Sequence, residues 1–98
     1  MAKAIDFLAA ARVDFDESFN WYYKRSMGAA ISFASAVDEA INMIINDPGR
    51  FPSTSGRCRY FALKRYPFRL VFRDEASRVV IVAVAHAKRR PYYWRSRI

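Results

Sequence analysis

The sequence predicts an α+β domain in which an N-terminal helical hairpin packs on one face of a three- to four-stranded, mainly antiparallel sheet. Between about residues 10 and 46, apolar side chains recur every three or four positions, the period of an amphipathic helix. After residue 56 the pattern changes to alternation and then to an almost unbroken β-branched run, which is typical of strands. Because 98 residues suit one hydrophobic core, we expect a single domain over residues 1–98.

The N-terminal half is expected to contain an edge strand and two helices. Residues 4–8 begin with apolar alternation, which favours a strand, although the alanines that follow favour a helix. From about Ala10 an apolar stripe predicts a helix that Gly28 ends. A second stripe predicts a helix over about residues 29–46, stopped by Asp47-Pro48-Gly49. Two amphipathic helices joined by a short turn share an apolar face, and that face needs a sheet.

The C-terminal half is expected to contain three strands. The first covers residues 57–64, and in the second, residues 68–73, aromatic and aliphatic side chains alternate with Arg69 and Arg73. An acidic turn leads into residues 78–87, which are apolar on both faces and therefore predict a central strand. Strict alternation would place Val80, Val82, Val84 and His86 on the face opposite Val79, Ile81, Ala83 and Ala85.

One face of this sheet is expected to remain available for binding. We expect that face to carry Arg69 and Arg73, with the basic residues that follow the central strand at its edge. The register that would relate His86 to these arginines stays open at this point.

Charge is distributed unevenly along the chain. Residues 1–48 hold four Lys/Arg against seven Asp/Glu, a net charge of −3, whereas residues 49–98 hold thirteen against two, a net charge of +11. A formal charge of +8 on so small a protein indicates a nucleic-acid target, an acidic protein partner, or both in turn. A merely solubilising basic surface is the weaker interpretation, because crowded cations repel one another.

Several classes of protein are not indicated by the sequence. No run of about 18 apolar residues suggests a membrane helix, and the start of the chain lacks a leader pattern, so we expect a cytoplasmic protein without membrane contact. The lone Cys58 cannot form an intrachain disulfide and is expected to pack in a strand. We find no cluster of metal ligands and expect neither a metal nor another cofactor.

Five segments of the chain form a recognisable set: Asn20-Trp21-Tyr22-Tyr23, Asp47-Pro48-Gly49-Arg50-Phe51-Pro52, Arg65-Tyr66-Pro67-Phe68-Arg69-Leu70-Val71-Phe72-Arg73, Val80 to His86 and Arg89-Arg90-Pro91-Tyr92-Tyr93-Trp94. In these segments the chain resembles the RelE/ParE superfamily of type II toxin–antitoxin toxins, in particular members often labelled plasmid stabilisation proteins. The resemblance spans nearly the whole chain, and the residues around each helix end are similar to the family's. It implies a toxin that inhibits growth until a cognate antitoxin relieves it.

The superfamily contains two mechanisms, and the first is ribosome-dependent cleavage of mRNA, as in the RelE branch. Such chemistry needs a base for the 2′-hydroxyl, cations for the phosphate and an acid for the leaving oxygen. His86 is the best proton carrier, although it could instead cap the strand end and orient the tail by a hydrogen bond. Tyr60 and Ala62 stand where relatives have basic residues. The candidate catalytic residues, for a nuclease, are Lys64, Arg69, His86, Arg89 and Tyr93.

The second mechanism is inhibition of DNA gyrase by binding alone, as in the ParE branch, and the missing strand cations slightly favour it. A third, less specific alternative is a non-toxic basic nucleic-acid-binding module in which the tail aromatics stack on bases. These aromatics could equally fold back over the sheet edge. The candidate residues for binding a target or an antitoxin are Arg59, Arg73, Lys88, Arg90, Tyr92, Trp94 and Arg95.

Under either toxin mechanism, the expected partner is an acidic, partly disordered antitoxin. Such a segment would neutralise the basic half of the chain and fold as it covers apolar surface. We expect it to wrap across the sheet face and the helical hairpin and to occlude Arg69 and Arg89. The other expected partner is the target, which is either DNA gyrase or the ribosome with its mRNA.

Overall fold

The computed structural model describes residues 3–98, which form a four-stranded mixed sheet with two helices packed on one face. Residues 1 and 2, on which the expectation about a leader in part rests, lie outside this range. The elements are β1 (Ala4–Phe7), α1 (Ala9–Tyr23), α2 (Met27–Asn46), β2 (Cys58–Ala62), β3 (Phe68–Asp74) and β4 (Arg78–His86), with short 3₁₀ turns at Pro48–Arg50 and Arg95–Arg97.

The sheet has the strand order β1-β4-β3-β2. Strands β2, β3 and β4 are antiparallel neighbours, whereas β1 pairs in parallel with β4. The predicted α+β architecture is therefore confirmed, including the edge strand near residues 4–8. Every residue from Val79 to Val84 is at most 2% exposed, because β4 is central and both of its faces are covered.

The two helices form the predicted hairpin, but the boundary between them was predicted wrongly. Helix α1 ends at Tyr23, five residues before Gly28. Gly28 therefore does not terminate α1 and instead lies in the first turn of α2. The side chain of Ser26 accepts a hydrogen bond from the Ala29 N–H at 2.9 Å and so caps the N-terminus of α2. A serine cap satisfies a helix N–H that would otherwise be unpaired. This cap stabilises the start of α2 although Gly28 lies in its first turn.

The main core lies between the helical hairpin and the sheet. Phe33 stacks on Phe15 and Tyr22 and contacts Phe68 of β3, with ring centroids 5.0–5.7 Å apart. Helix α2 is long and apolar enough to cross a membrane by length and composition. In this fold one of its faces is buried against the sheet, as in a core helix of a globular domain. The buried residues of that face are Ala30, Phe33, Val37, Ala40 and Ile44.

A β-bulge changes which residues of β4 face the helices. Val71 of β3 pairs with Ala83, but the next residue, Phe72, pairs with Ile81, so Val82 is an extra residue. Strict alternation along β4 was therefore a wrong prediction, because one inserted residue exchanges the faces of everything beyond it. The helix side receives Val79, Ile81 and Val84, and the opposite side receives Val82 and Ala83.

The second face of the sheet is partly covered by the C-terminal arm, which we define as residues 87–98. Trp94 is 4% exposed and packs with Cys58, Val71, Val82 and Ala83 in a second apolar cluster. The expectation that this face remains available was therefore wrong for its centre. The C-terminal arm covers the apolar side chains of Val82 and Ala83, which the bulge places on the face of the sheet away from the helices. Cys58 packs in a strand as predicted.

Candidate functional site

A cleft opens where the C-terminal arm leaves the sheet, and we call it the cationic cleft. It has a volume of about 270 Å³ and lies between the ends of β3 and β4 on one side and the arm on the other. The predicted candidates that line it are Arg69, His86, Arg89, Arg90, Tyr92, Tyr93 and Trp94. Seven of the twelve candidate residues, widely spaced in the sequence, thus come together.

The arginines around the cleft are stacked on aromatic rings. The guanidinium carbon of Arg69 lies 4.4 Å from the ring centroid of Tyr60, and that of Arg89 lies 3.9 Å from the centroid of Tyr93. Such stacking holds a guanidinium in place while its N–H groups remain free to bind an acceptor. Tyr60 stands where relatives have a basic residue, and its ring supports the guanidinium group of Arg69.

The cations of the cleft are not neutralised from within the domain. Over residues 3–98, the basic partners of carboxylates are Lys3, Arg73, Arg78 and Arg97. The guanidinium groups of Arg69, Arg89 and Arg90 therefore have no carboxylate partner within ion-pairing distance in this part of the chain. Uncompensated cations in a concave site raise the local positive potential and attract anionic groups.

His86 occupies the junction between the cleft and the end of the helical hairpin. Its ring packs edge-on against Phe68 at 4.9 Å, and its Nδ1 accepts a hydrogen bond from the Lys88 N–H at 3.0 Å. The Arg89 N–H in turn donates to the His86 carbonyl at 3.0 Å. His86 thus has the strand-capping contact considered as an alternative to catalysis, and an acceptor Nδ1 places the imidazole proton on Nε2.

The most constrained polar group near the cleft is Asp14, which sequence reasoning did not select. Its side chain is 5% exposed and lies on the buried side of α1. Arg97 donates to both carboxylate oxygens, at 2.7 and 3.1 Å, and the Tyr93 hydroxyl donates to Oδ2 at 3.1 Å. The Val84 N–H donates to the same oxygen at 3.1 Å. A buried carboxylate is thus paired with a cation and fully hydrogen-bonded.

This environment changes the protonation behaviour of its partners. Burial, followed by the nearby charge of Asp14, raises the pKa of the Tyr93 hydroxyl to about 12. The hydrogen bond to Asp14 raises the pKa of Arg97. The Tyr93 hydroxyl is therefore held neutral and committed to Asp14, while its ring supports Arg89.

The sequence did contain a signal for Asp14. The residue stands three positions after Ala11 and one before Phe15, within the apolar stripe of the first helix. An acid on the buried face of a helix needs a cation, and the C-terminal half of the chain has eleven more Lys/Arg than Asp/Glu. The signal does not identify Arg97 among thirteen candidates.

Backbone geometry shows how closely the arm is fitted to the domain. Tyr92 adopts φ of 60°, a left-handed conformation that is uncommon for residues with a side chain. Gly56 also has a positive φ, of 66°, and a Cβ at that position would lie 3.2 Å from Cδ1 of Ile98. Strained backbone is often retained at functional sites.

Two predicted binding residues lie outside the cleft and have partners of their own. Arg59 donates to the Phe51 carbonyl at 2.7 Å and to the Ser53 hydroxyl at 3.4 Å. Arg73, at the other end of β3, pairs with Glu75 at 2.7 Å. The hydrogen bonds from Arg78 and Arg73 lower the pKa of Glu75. Both arginines thus join strands to neighbouring turns.

Three further candidates are dispersed around the domain. Lys64 lines a groove between α2 and β2, away from the cleft. Lys88 lines a second pocket beside Trp21 at the end of α1. Arg95 donates to the Ser55 hydroxyl at 3.0 Å, and its guanidinium carbon lies 4.9 Å from the Tyr92 ring centroid. The cleft therefore unites Arg69, His86, Arg89 and Tyr93 but not Lys64.

Two solved structures with a similar fold are a chain of a toxin–antitoxin system and a toxin. A chain of the chromosomal ParDE toxin–antitoxin system from P. aeruginosa superposes with a TM-score of 0.77 at 18% identity, covering 89% of this chain and 98% of that one. A mutant of the E. coli toxin RelE in the free state gives a TM-score of 0.59 at 17% identity, covering 98% and 93%. At these identities the likeness concerns the fold.

The sequence comparison identifies the family. No curated protein matches the chain. Residues 5–91 match the family model of the ParE toxin of the type II toxin–antitoxin system parDE, a span that includes both helices and all four strands except the first residue of β1. The match ends at Pro91, so the C-terminal part of the arm lies beyond it. With 87 of its 98 residues matched, the chain belongs to the ParE toxin family of type II toxin–antitoxin systems.

Proposed function

We propose that residues 1–98 form one toxin domain that inhibits DNA gyrase by binding to it and performs no chemistry itself. The observation that carries this proposal is the state of the cationic cleft. Ala62 lies opposite Arg69 on the neighbouring strand, and Tyr60 stacks beneath it, so β2 adds no cation there. The Tyr93 hydroxyl is held by Asp14. The cleft is thus poorly equipped for phosphate chemistry and well equipped for binding.

The exposed surface around the cleft has the composition of a binding site. Arg69, Arg89 and Arg90 are exposed, and Tyr92 is 50% exposed. Arginine and tyrosine are enriched at binding hot spots, where stacked guanidinium groups and rigid rings lose little entropy on association. This supports a contact surface for a large anionic or acidic target.

RelE-like cleavage of mRNA is the second candidate, and one observation favours it. Arg69 and Arg89 line the same cleft, so two cations could meet one phosphodiester. The His86 ring packs on Phe68, on the face of the sheet opposite Arg69. Lys64, the remaining strand cation, lies in a different groove. We place this function second because the arrangement lacks a further free proton carrier among the predicted residues.

Membership of the family implies an antitoxin as partner. We propose that this antitoxin is acidic and partly disordered and that it occludes Arg69 and Arg89, because these cations have no carboxylate partner of their own within residues 3–98. We further propose that the toxin acts in the cytoplasm, where gyrase and DNA are found. A complex in which both arginines stay solvent-exposed while toxicity is suppressed would contradict the antitoxin proposal.

The decisive experiment induces the wild type and three variants in growing cells. Growth, full-length mRNA and plasmid supercoiling are followed together for His86→Gln, Arg89→Ala and Arg50→Ala. For a gyrase inhibitor we expect lost supercoiling with intact mRNA, full activity of His86→Gln and weakened activity of Arg89→Ala. Arg50 lies outside the cleft and serves as the matched arginine control.

The opposite result is equally specific. Early cuts within coding regions of mRNA, with supercoiling maintained and cleavage abolished by His86→Gln, would replace the gyrase proposal with the nuclease. Normal growth on induction of the stably expressed wild type would overturn both toxin mechanisms.

A further inference from the structure

The C-terminal arm crosses one edge of β4, beyond the point at which β1 stops pairing with it. Pairing between β1 and β4 ends at Phe7 and Ile81, followed by one hydrogen bond from the Leu8 N–H to the Ile81 carbonyl. Beyond that point the edge of β4 is completed by side chains. The Arg97 guanidinium donates to the Val82 carbonyl at 3.0 Å, and Asp14 accepts from the Val84 N–H.

Asp14 and Arg97 therefore act as one unit that connects three parts of the fold. The unit joins α1 and the last residues of the chain to the edge of β4 that β1 leaves unpaired. Asp14 and Arg97 are 83 positions apart in the sequence. A buried ion pair is weak evidence for stability, since its desolvation cost is comparable to its attraction. Its geometric effect is stronger, because removing either partner leaves the other buried and unpaired.

The same carboxylate is linked to the cationic cleft through Tyr93. The hydroxyl of Tyr93 donates a hydrogen bond to Asp14. The ring of the same side chain has its centroid 3.9 Å from the guanidinium carbon of Arg89. The Arg97 guanidinium carbon lies 5.0 Å from the same ring. The position of the Tyr93 ring, and with it one wall of the cleft, is thus fixed by a group on α1.

We propose that Asp14 is a positioning residue that fixes the C-terminal arm through Arg97 and Tyr93 and thereby places Arg89 in the cleft. Asp14 contacts no bound target itself, because its side chain is buried beneath the arm. The consequence for activity rests on the proposed function, in which Arg89 contacts the target. The placement of the arm is a separate claim that can be measured without a target.

The arm can be followed by the fluorescence of Trp94, which is buried, whereas Trp21 is exposed. The sequence has two tryptophans, so Trp21→Phe leaves Trp94 as the single probe. In this background Asp14→Asn and Arg97→Gln are compared with Asp16→Asn, an identical change at an exposed position of the same helix. Arg97→Lys tests rescue by a conserved charge.

For Asp14→Asn and Arg97→Gln we expect acrylamide quenching of Trp94 to rise by about twofold or more, as in local opening. Growth inhibition should fall by about tenfold or more in inducer titration, as for loss of a binding hot spot. Far-UV circular dichroism and cooperative unfolding should be retained. Asp16→Asn should match the parent in all measurements, and Arg97→Lys should lie between the two groups.

Two results would overturn the proposal. Trp94 could remain shielded in both Asp14→Asn and Arg97→Gln, which would show that these residues do not fix the arm. Alternatively, the arm could open while growth inhibition stayed complete, which would show that its placement does not matter for activity. If Asp14→Asn fails to fold, the Arg97 variants decide the question. If the parent does not inhibit growth, the proposed function fails, and Trp94 quenching still decides the placement of the arm.

Discussion

At the scale of single residues, the site depends on which atoms are already committed to partners. Tyr93 had been predicted as a candidate proton carrier, yet its hydroxyl donates to a buried carboxylate. Asp14 was not selected, yet it accepts four hydrogen bonds from three residues. Residue type was visible in the sequence, whereas the partner of each polar atom depends on contacts between positions up to 83 apart.

The raised pKa of Tyr93 leads to a prediction about stability at alkaline pH. The hydroxyl is neutral in the fold up to a pKa of about 12, against an ordinary value of 10.0, so folding favours the protonated form. This contribution is fully present below pH 10 and is lost as the pH rises from about 10 to about 12. We therefore expect the free energy of unfolding to fall over this range more steeply for the wild type than for Tyr93→Phe.

The measurement is urea denaturation at a series of pH values, with absorbance titration of tyrosinate as a second readout. Tyr23→Phe is the matched control, because Tyr23 is exposed. Equal pH dependence of the wild type and Tyr93→Phe would show that Tyr93 ionises as readily in the fold as in the unfolded chain.

At the scale of elements, the boundaries and the bulge were the features that pattern reasoning missed. The existence and type of both helices and of the three C-terminal strands follow from periodicity, whereas residues 4–8, which include β1, gave a mixed signal. The start of α2 depends on Ser26, whose side chain caps a helix that contains Gly28 in its first turn. The bulge at Val82 depends on how β3 meets β4 and leaves no mark in the alternation of an all-apolar strand. It was this bulge that placed His86 beside Phe68.

The cap at Ser26 gives a prediction for α2. Ser26→Ala removes the acceptor for the Ala29 N–H and should destabilise the domain by about 1 kcal/mol. For a domain of this size the melting temperature should then fall by roughly 4–8 °C. The control is Ser35→Ala, at an exposed interior position of the same helix, where alanine should be neutral or slightly stabilising. Equal melting temperatures for the two variants would contradict the assigned cap.

The close approach of Gly56 to the arm gives a second prediction at this scale. Gly56→Ala places a Cβ 3.2 Å from Cδ1 of Ile98 and forces alanine into a positive φ. The backbone cost alone should be about 1–2 kcal/mol. Gly49→Ala is the control, because no atom lies within 4 Å of a Cβ there and its φ is not positive.

Thermal unfolding of both glycine variants tests this expectation, and Ile98→Ala in the Gly56→Ala background separates the two causes. We expect Ile98→Ala to recover the steric part of the loss but not the backbone part. A stability of Gly56→Ala equal to that of Gly49→Ala would be inconsistent with the arm packing against residue 56.

At the scale of the whole molecule, the fold separates the two signs of charge into different tasks. Four of the acidic residues of the domain are used in ion pairs that tie turns, helix and arm to the sheet: Asp6, Asp14, Asp74 and Glu75. The cations of the cleft lack such partners within residues 3–98 and face outward. The molecule therefore offers an excess of positive charge at one place, where it can attract an acidic partner from a distance.

This excess predicts how association with an acidic antitoxin depends on salt. The association rate should fall by about tenfold or more between low salt and roughly 0.5 M NaCl, because exposed charges are screened within a few ångströms at high ionic strength. The dissociation rate should change less. Stopped-flow measurements at several salt concentrations test this expectation. Arg89→Ala should reduce the salt dependence more than Arg50→Ala, and equal slopes for the two variants would place the attraction outside the cleft.

The sequence by itself determined the fold class, the family and the excess of basic charge in the C-terminal half. These conclusions depend on periodicity, motifs and composition, which can be read from the order of residues alone. The tertiary structure decided which face each strand residue occupies, that Trp94 is buried, and that Asp14 joins Arg97 to Tyr93. These features depend on one extra residue in β4 and on contacts across nearly the full length of the chain. The physical reason is that a hydrogen bond or an ion pair requires a particular partner in space, and spacing along a sequence does not specify that partner.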